Sequence, residues 1–217
     1  MWWIMAFVDF AGVFDIHLTV APGGDVERLD AWAAGNQATL THVVLERGAV
    51  TCQPTLTLAG RGTLPEQRAA AATCAAGLRE AGFRVVRVKI EAAPWNRDVP
   101  WTAAAAAKLD GCYFEHHVTV TDPARTEKLA EIAQRHSAHL SRNARRVRPD
   151  GSAERYVTQR CRGVGLSVAG HRLDALVRAL GAGGFAVLEA EREFVVHDDN
   201  PGIDRGWIEE AQPRADR

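Results

Sequence analysis

Two short stretches carry the residues best suited to chemistry. Tyr113 to Val120 reads YFEHHVTV, and one hundred residues earlier Phe14 to Val20 reads FDIHLTV. Asp15 aligns with Glu115, His17 with His117 and Thr19 with Thr119. Successive side chains of an extended chain point to opposite faces, so Asp15, His17 and Thr19 share one face while Phe14, Ile16, Leu18 and Val20 share the other. One face carries chemistry and the other builds core. An unperturbed imidazole titrates near pH ~6.5, so two of them can act as proton donor and acceptor at neutral pH. A lone strand histidine is most often structural, whereas two acid-x-His-x-Thr strands in equivalent places form a symmetric constellation.

The elements that position these strands repeat as well. After FDIHLTV, Asp25 opens a helix with Val26, Leu29, Trp32 and Ala33 at helical spacing. Strands follow at Thr41 to Glu46 and Pro54 to Gly60. Thr63 with Glu66 three residues on starts a second helix, and Arg84 to Glu91 is a fourth strand. The order strand, helix, strand, strand, helix, strand is that of a ferredoxin-like unit. The second half repeats it: FEHHVTV, a helix with Leu129 and Ile132, HLSRNARR, YVTQRCR, a helix with Leu173, Leu176, Val177 and Leu180, and VLEAEREFVV. The fold class expected is α+β, two tandem ferredoxin-like (βαββαβ) repeats with sheets facing across a polar cleft. The first repeat spans residues 1–91, a linker 92–111, the second repeat 112–200 and a C-terminal tail 201–217. Trp95 and Trp101 predict that the linker packs across the body, since both are costly to leave in water.

Both helices of such a unit cover one face of its sheet, and the uncovered faces here are polar. They hold Arg87, Lys89 and Glu91 in the first half and Glu189, Glu191 and Glu193 in the second, so the charges of Arg87 and Lys89 complement Glu189 and Glu191 across the cleft. The alternative is a pair of solvated faces. Arg61, Arg160 and Arg162 can grip an anionic group in forked geometry, which predicts a small anionic substrate, and Tyr156 lies on the same face as Arg160. A metal held by His17, His117, Asp15 and Glu115 is the competing use of these atoms. Residues i and i+2 of one strand stand roughly 6 to 7 Å apart, long for two ligands of one ion, so acid–base use is preferred and no metal or other cofactor is assigned.

The two H-x-T motifs, His17-Leu18-Thr19 and His117-Val118-Thr119, resemble the signature of the 2H phosphoesterase superfamily. The resemblance implies that His17 and His117 are the catalytic general acid and base on a phosphodiester, typically a 2',3'-cyclic phosphate or an RNA end. It also implies that Thr19 and Thr119 contact phosphate oxygens. It covers these motifs and their symmetry; the family usually spreads its motifs over one compact bilobal domain, and the acids Asp15 and Glu115 are not part of its pattern. Here those acids are expected in supporting roles.

The remaining features bound the answer. The 217 residues carry a formal net charge of -1, with 47% hydrophobic and 24% charged residues, which is ordinary for a soluble globular protein and argues against a surface wholly devoted to nucleic acid. Cysteines at 52, 74, 112 and 161 show no C-x-x-C spacing, so reduced thiols and a cytoplasmic location are expected. The opening MWWIMAFVDFAGVF lacks a basic start and carries Asp9, so it reads as an edge segment rather than a targeting signal. No run reaches the roughly 20 apolar residues that span a bilayer, so no membrane partner is expected. Arg135, Arg142, Arg145, Arg146, Arg148, Arg155, Arg160 and Arg162, with His136 and His139, make the strongest local charge bias, either a phosphate-binding or RNA-binding edge or a solvated hairpin turning at Pro149-Asp150-Gly151. His116, His136 and Cys161 read as buried or half-buried structural residues. His197, Asp198 and Asp199 read as a turn, Trp207 as docked on the body, and the chain after Ala211 as disordered. The oligomeric state stays open.

Overall fold

Local chemistry fixes where the elements begin. In the computed structural model, which describes residues 9–122, 126–145 and 153–208, the Asp25 carboxylate accepts the Arg28 amide at 3.0 Å and so caps the first helix. The Glu66 carboxylate accepts the Thr63 amide at 2.7 Å at the start of the second. The apolar start up to residue 8, Arg146, Arg148, the turn at Pro149-Asp150-Gly151 and the chain after Ala211 lie outside the described residues.

The elements in chain order are β1 (Ala11–Val20), α1 (Val26–Gly35), β2 (Thr39–Leu45), β3 (Cys52–Thr63), α2 (Leu64–Glu80) and β4 (Val85–Ala92). A short α3 (Ala103–Ala106) follows, then β5 (Tyr113–Asp122), α4 (Thr126–Arg135), β6 (Ala138–Asn143), β7 (Ala153–Arg162), α5 (Leu166–Ala182) and β8 (Val187–Asp198). A 3-10 turn at Pro201–Asp204 closes the described chain. This is a mixed α+β chain in which eight antiparallel strands form one sheet. No described helix is long and apolar enough to cross a membrane.

The sheet is closed, which corrects the expectation of two sheets facing each other across a cleft. Its strand order is β1-β3-β2-β6-β7-β5-β8-β4, returning to β1. Two seams join the halves. At one, Val43 pairs with Asn143 and Leu45 with Ser141; at the other, Lys89 pairs with Asp198 and Ala92 with Phe194. Closure satisfies the ladder groups that two separate sheets would leave at their edges. Register breaks fall at matching places, between Thr19 and Val20 against β4 and between Thr119 and Val120 against β8. Such irregularities increase local twist, which a closing sheet needs.

The apolar core sits outside the barrel, under the helices. Phe14, Ile16, Leu18 and Val20 join Leu29, Ala71, Ala75 and Leu78 in one cluster; Val118 and Val120 join Leu129, Leu173, Leu176 and Leu180 in the other. With one strand face spent on helices, the other lines the lumen, and the alternation of β1 and β5 sends the polar residues there.

The segment after β4 is pinned by Asn96, whose side chain accepts the Val13 amide at 2.9 Å and donates to the Val13 carbonyl at 2.6 Å. Its tryptophans do not pack as the sequence predicts: Trp95 is 77% exposed and Trp101 68%. Polar and backbone contacts hold this segment, so its path does not depend on burying the indoles. Trp207 does dock: its indole nitrogen donates to the Leu140 carbonyl at 2.9 Å. His116 and Cys161 are buried as expected, His116 against Gln159 at 3.0 Å.

Candidate functional site in the barrel lumen

The lumen holds a cavity of about 760 Å³ bordered by His17 and His117. The two imidazoles are held alike. His17 Nδ1 lies 2.9 Å from the Thr57 hydroxyl and His117 Nδ1 lies 3.1 Å from the Thr158 hydroxyl, each a direct cross-strand neighbour. On the far side, His17 Nε2 lies 2.5 Å from Glu91 Oε2. His117 Nε2 lies 3.2 Å from Glu115 Oε1 and 3.5 Å from Glu193 Oε2. Each ring is thus set between a threonine hydroxyl and buried glutamate.

Register explains the partners. On β4, Lys89 lies opposite His17 and Glu91 opposite Asp15; on β8, Glu191 lies opposite His117 and Glu193 opposite Glu115. Of the two acids expected in support, Glu115 contacts its histidine, while Glu91 takes the place beside His17 that Asp15 was expected to fill. Asp15 lines the cavity instead.

A chain of alternating charge runs below the histidines. Lys89 Nζ donates to Glu115 Oε1 at 2.7 Å, and Glu115 Oε2 accepts from Arg160 Nε at 2.5 Å. Arg160 also donates to Asp204 at 2.7 Å, Asp204 accepts from Arg87 at 3.0 Å, and Arg87 pairs with Asp198 at 2.6 Å. Gln53 donates to Asp204 at 3.1 Å. All of these side chains are buried or nearly so, and each charge meets an opposite one, as buried ions require. Asp204 comes from the tail, which the sequence reading left without a role.

The charges of Arg87 and Lys89 therefore do not meet Glu189 and Glu191. Among the described residues no lysine or arginine pairs with Asp15, Glu189 or Glu191, all of which line the cavity. Burial raises the Asp15 and Glu191 carboxyls, and neighbouring carboxylates add to it. Burial would raise Glu91 and Glu115 too, but Lys89 and His17 beside the first, and Arg160 and Lys89 beside the second, hold both carboxyls well below the usual range. Glu193 goes the other way: burial, then the charge of Glu91, raises it well above an ordinary glutamate.

The residues expected to bind substrate divide. Thr19, Thr119 and Tyr156 line the cavity, Thr19 with its hydroxyl 3.1 Å from that of Thr55. Arg160 lines it too, but its guanidinium is spent on Glu115 and Asp204. Arg61 and Arg162 are exposed and do not border the cavity. Arg61 pairs with Val13, past Asp15 toward the end of the barrel, and Arg162 lies over the Tyr113 ring, 4.1 Å from its centroid. Strand alternation assigned them the right face but not their height along the barrel axis. Of the arginine-rich stretch, Arg135 pairs with Glu131 and Arg145 with Asp30.

Two sets of side chains bring potential ligand atoms within 4.8 Å of one another: His17, Glu91 and Glu193, and Glu91, Glu115 and His117. Neither set is the one weighed from the sequence: Asp15 belongs to neither and Glu91 of β4 joins both, while in the second set Glu115 and His117, positions i and i+2 of β5, lean together to 3.2 Å.

No protein-family model matches the sequence, and no curated protein matches it either. Among solved structures, a Bacteroides thetaiotaomicron protein aligns with 82% of this chain and 92% of its own at 11% identity and a TM-score of 0.31. A structure described as a putative glycine cleavage system transcriptional repressor aligns over 88% and 99%, at 11% identity and a TM-score of 0.28. A mutant chlorite dismutase from Candidatus Nitrospira defluvii aligns over 85% and 92%, with the same identity and a TM-score of 0.28. Likenesses this weak carry no argument about fold family or activity.

Proposed function

We propose that the lumen is the active centre of an enzyme in which His17 and His117 carry out acid–base chemistry on a small substrate. The observation that carries this is the matched setting of the two imidazoles, each between a threonine hydroxyl and a buried glutamate on the border of one cavity. A carboxylate at Nε2 stabilises the imidazolium that forms when Nδ1 takes up a proton, and Thr57 or Thr158 relays the proton between Nδ1 and the substrate. One histidine accepts in this way while the other donates. A cavity of about 760 Å³ suits a small molecule or a single nucleotide unit.

The matched order of elements and matched register breaks support two tandem ferredoxin-like repeats, fused by the two seams into one barrel. Fusion of that kind places one histidine from each repeat in a shared space. The resemblance to 2H phosphoesterases supplies the substrate class, a phosphodiester such as a 2',3'-cyclic nucleotide, with Thr19 and Thr119 available to its oxygens. The lumen itself supplies little free positive charge for such a group, because Arg87, Lys89 and Arg160 are neutralised by protein carboxylates.

The test is turnover of 2',3'-cyclic nucleotides and short RNA ends, in metal-supplemented and metal-free buffer, by wild type and His117→Gln. Turnover by wild type that falls by about 10²-fold or more in His117→Gln supports the reading. Turnover undiminished in the variant, or none on any substrate, overturns it.

A further inference from the structure

Glu91 is 1% exposed, yet neither of its carboxylate oxygens makes a hydrogen bond of normal geometry, and neither does His17 Nε2. The close contacts of Glu91 are ion pairs: His17 Nε2 faces Glu91 Oε2 at 2.5 Å, and Lys89 Nζ stands 2.7 Å from Glu91 Oε1. The hydrogen bond of Lys89 goes to Glu115. Glu193 approaches from β8, and its basic neighbour is His117, 3.5 Å away. Two carboxylates and an imidazole therefore converge within 4.8 Å, from three strands, with no lysine or arginine hydrogen-bonded to either carboxylate among the described residues. Two carboxylates brought together in a buried place are stable only with a proton or a cation between them, and Glu193, raised well above an ordinary glutamate beside Glu91, holds the proton that a bound cation would displace.

The second convergent set, Glu91, Glu115 and His117, is different. Glu115 is already satisfied by Lys89 and Arg160 through direct hydrogen bonds. The two histidines, matched in their setting, are thus unmatched in electrostatics.

We propose that His17 Nε2 and the carboxylates of Glu91 and Glu193 form a site for one divalent cation beside His117, whose Nε2 lies 3.5 Å from Glu193; with the ion bound, His17 is a ligand and His117 alone of the pair moves protons. One nitrogen and two carboxylates, without thiolate, suit Mn²⁺, Fe²⁺ or Zn²⁺ better than the all-oxygen shells of Ca²⁺ or Mg²⁺. The two carboxylates come from β4 and β8, the two strands of one seam, so the barrel must close at that seam for the site to form. The ion supplies the positive charge that the neutralised arginines do not, at the place where an anionic substrate would need it. The inference rests on the acid–base reading only for what the ion does, and not for whether it binds.

The experiment uses the full chain, stripped with EDTA, dialysed and titrated with Mn²⁺ by calorimetry, with electron paramagnetic resonance counting the bound ion. Wild type takes up about one Mn²⁺ per chain, and His17→Gln and Glu193→Gln each weaken binding about ten-fold or more. Asp15→Asn, which removes a cavity carboxylate outside the set, stays within about three-fold of wild type. Circular dichroism shows each variant folded before it is compared. Absence of saturable binding by wild type overturns the proposal, as does equal loss in Asp15→Asn and Glu193→Gln. Mn²⁺ binding without turnover leaves the ion site standing while the acid–base reading falls; turnover without any bound ion does the reverse.

Discussion

Replacing Glu115 by Gln removes one buried negative charge from between Lys89 and Arg160. Glu115 is 2% exposed and takes hydrogen bonds from Lys89 at 2.7 Å and Arg160 at 2.5 Å. Breaking a buried pair from one side costs about 3–5 kcal/mol, because a charge is left without its counterpart. Here each cation keeps a second carboxylate, Glu91 for Lys89 and Asp204 for Arg160, so the lower end applies, about 3 kcal/mol. At roughly 2–4 °C per kcal/mol for a chain of this size, the melting temperature falls by about 6–12 °C. The pH dependence follows from the lowered carboxyl. Wild type binds fewer protons folded than unfolded, so the contribution is present above the ordinary glutamate value of 4.5 and fades as pH drops through the folded value below it. Urea denaturation of both proteins from pH 7 down to about pH 3 reads this directly. A loss under about 1 kcal/mol at pH 7, or one that does not shrink in acid, refutes the claim that Glu115 anchors the network.

Glu193 should behave in the opposite sense. In metal-free protein its raised carboxyl keeps its proton after the unfolded chain has lost it, so stability declines as pH climbs above 4.5. Glu193→Gln flattens that decline and is more stable than wild type at pH 8; urea midpoints across the range measure it, and a variant less stable at pH 8 contradicts the assignment. Gly12 has φ +145, and a Cβ there would strike the Asn96 side chain that pairs with Val13. Gly12→Ala is expected to cost about 1–3 kcal/mol by thermal denaturation, and a neutral result would mean that Asn96 can move without loss.

How much of this was legible from the sequence depended on whether neighbours in the chain or neighbours in the sheet decided it. Alternation in FDIHLTV and FEHHVTV put both histidines and both threonines on the cavity, and the helix caps at Asp25 and Thr63 fell where composition placed them. Closure of the barrel was not legible. It depends on pairing at Val43–Asn143 and Lys89–Asp198, residues far apart in sequence with no turn between them to signal the contact. The partners of the histidines followed in part from the register within each half: Glu91 and Glu193 sit across from Asp15 and Glu115, so His17 takes its acid from the adjacent strand, while His117 keeps Glu115 two residues away as well as Glu193. Arg61 and Arg162 were misplaced for a related reason. Alternation gives the face of a strand but not the depth along a tilted barrel. Asp204 was hidden because its partners, Arg87 and Arg160, lie in different halves and meet it only once the tail crosses the barrel end.

The measurement closest to the central claim is a double-mutant cycle on kcat/KM across His17 and His117, with the substrate that the phosphodiester panel identifies. If both rings serve one reaction in one lumen, His17→Gln and His117→Gln each cost about 10²-fold or more, and the double variant is little worse than the weaker single. Independent, multiplying losses, or a single variant with full activity, would show that the two histidines do not share a catalytic step.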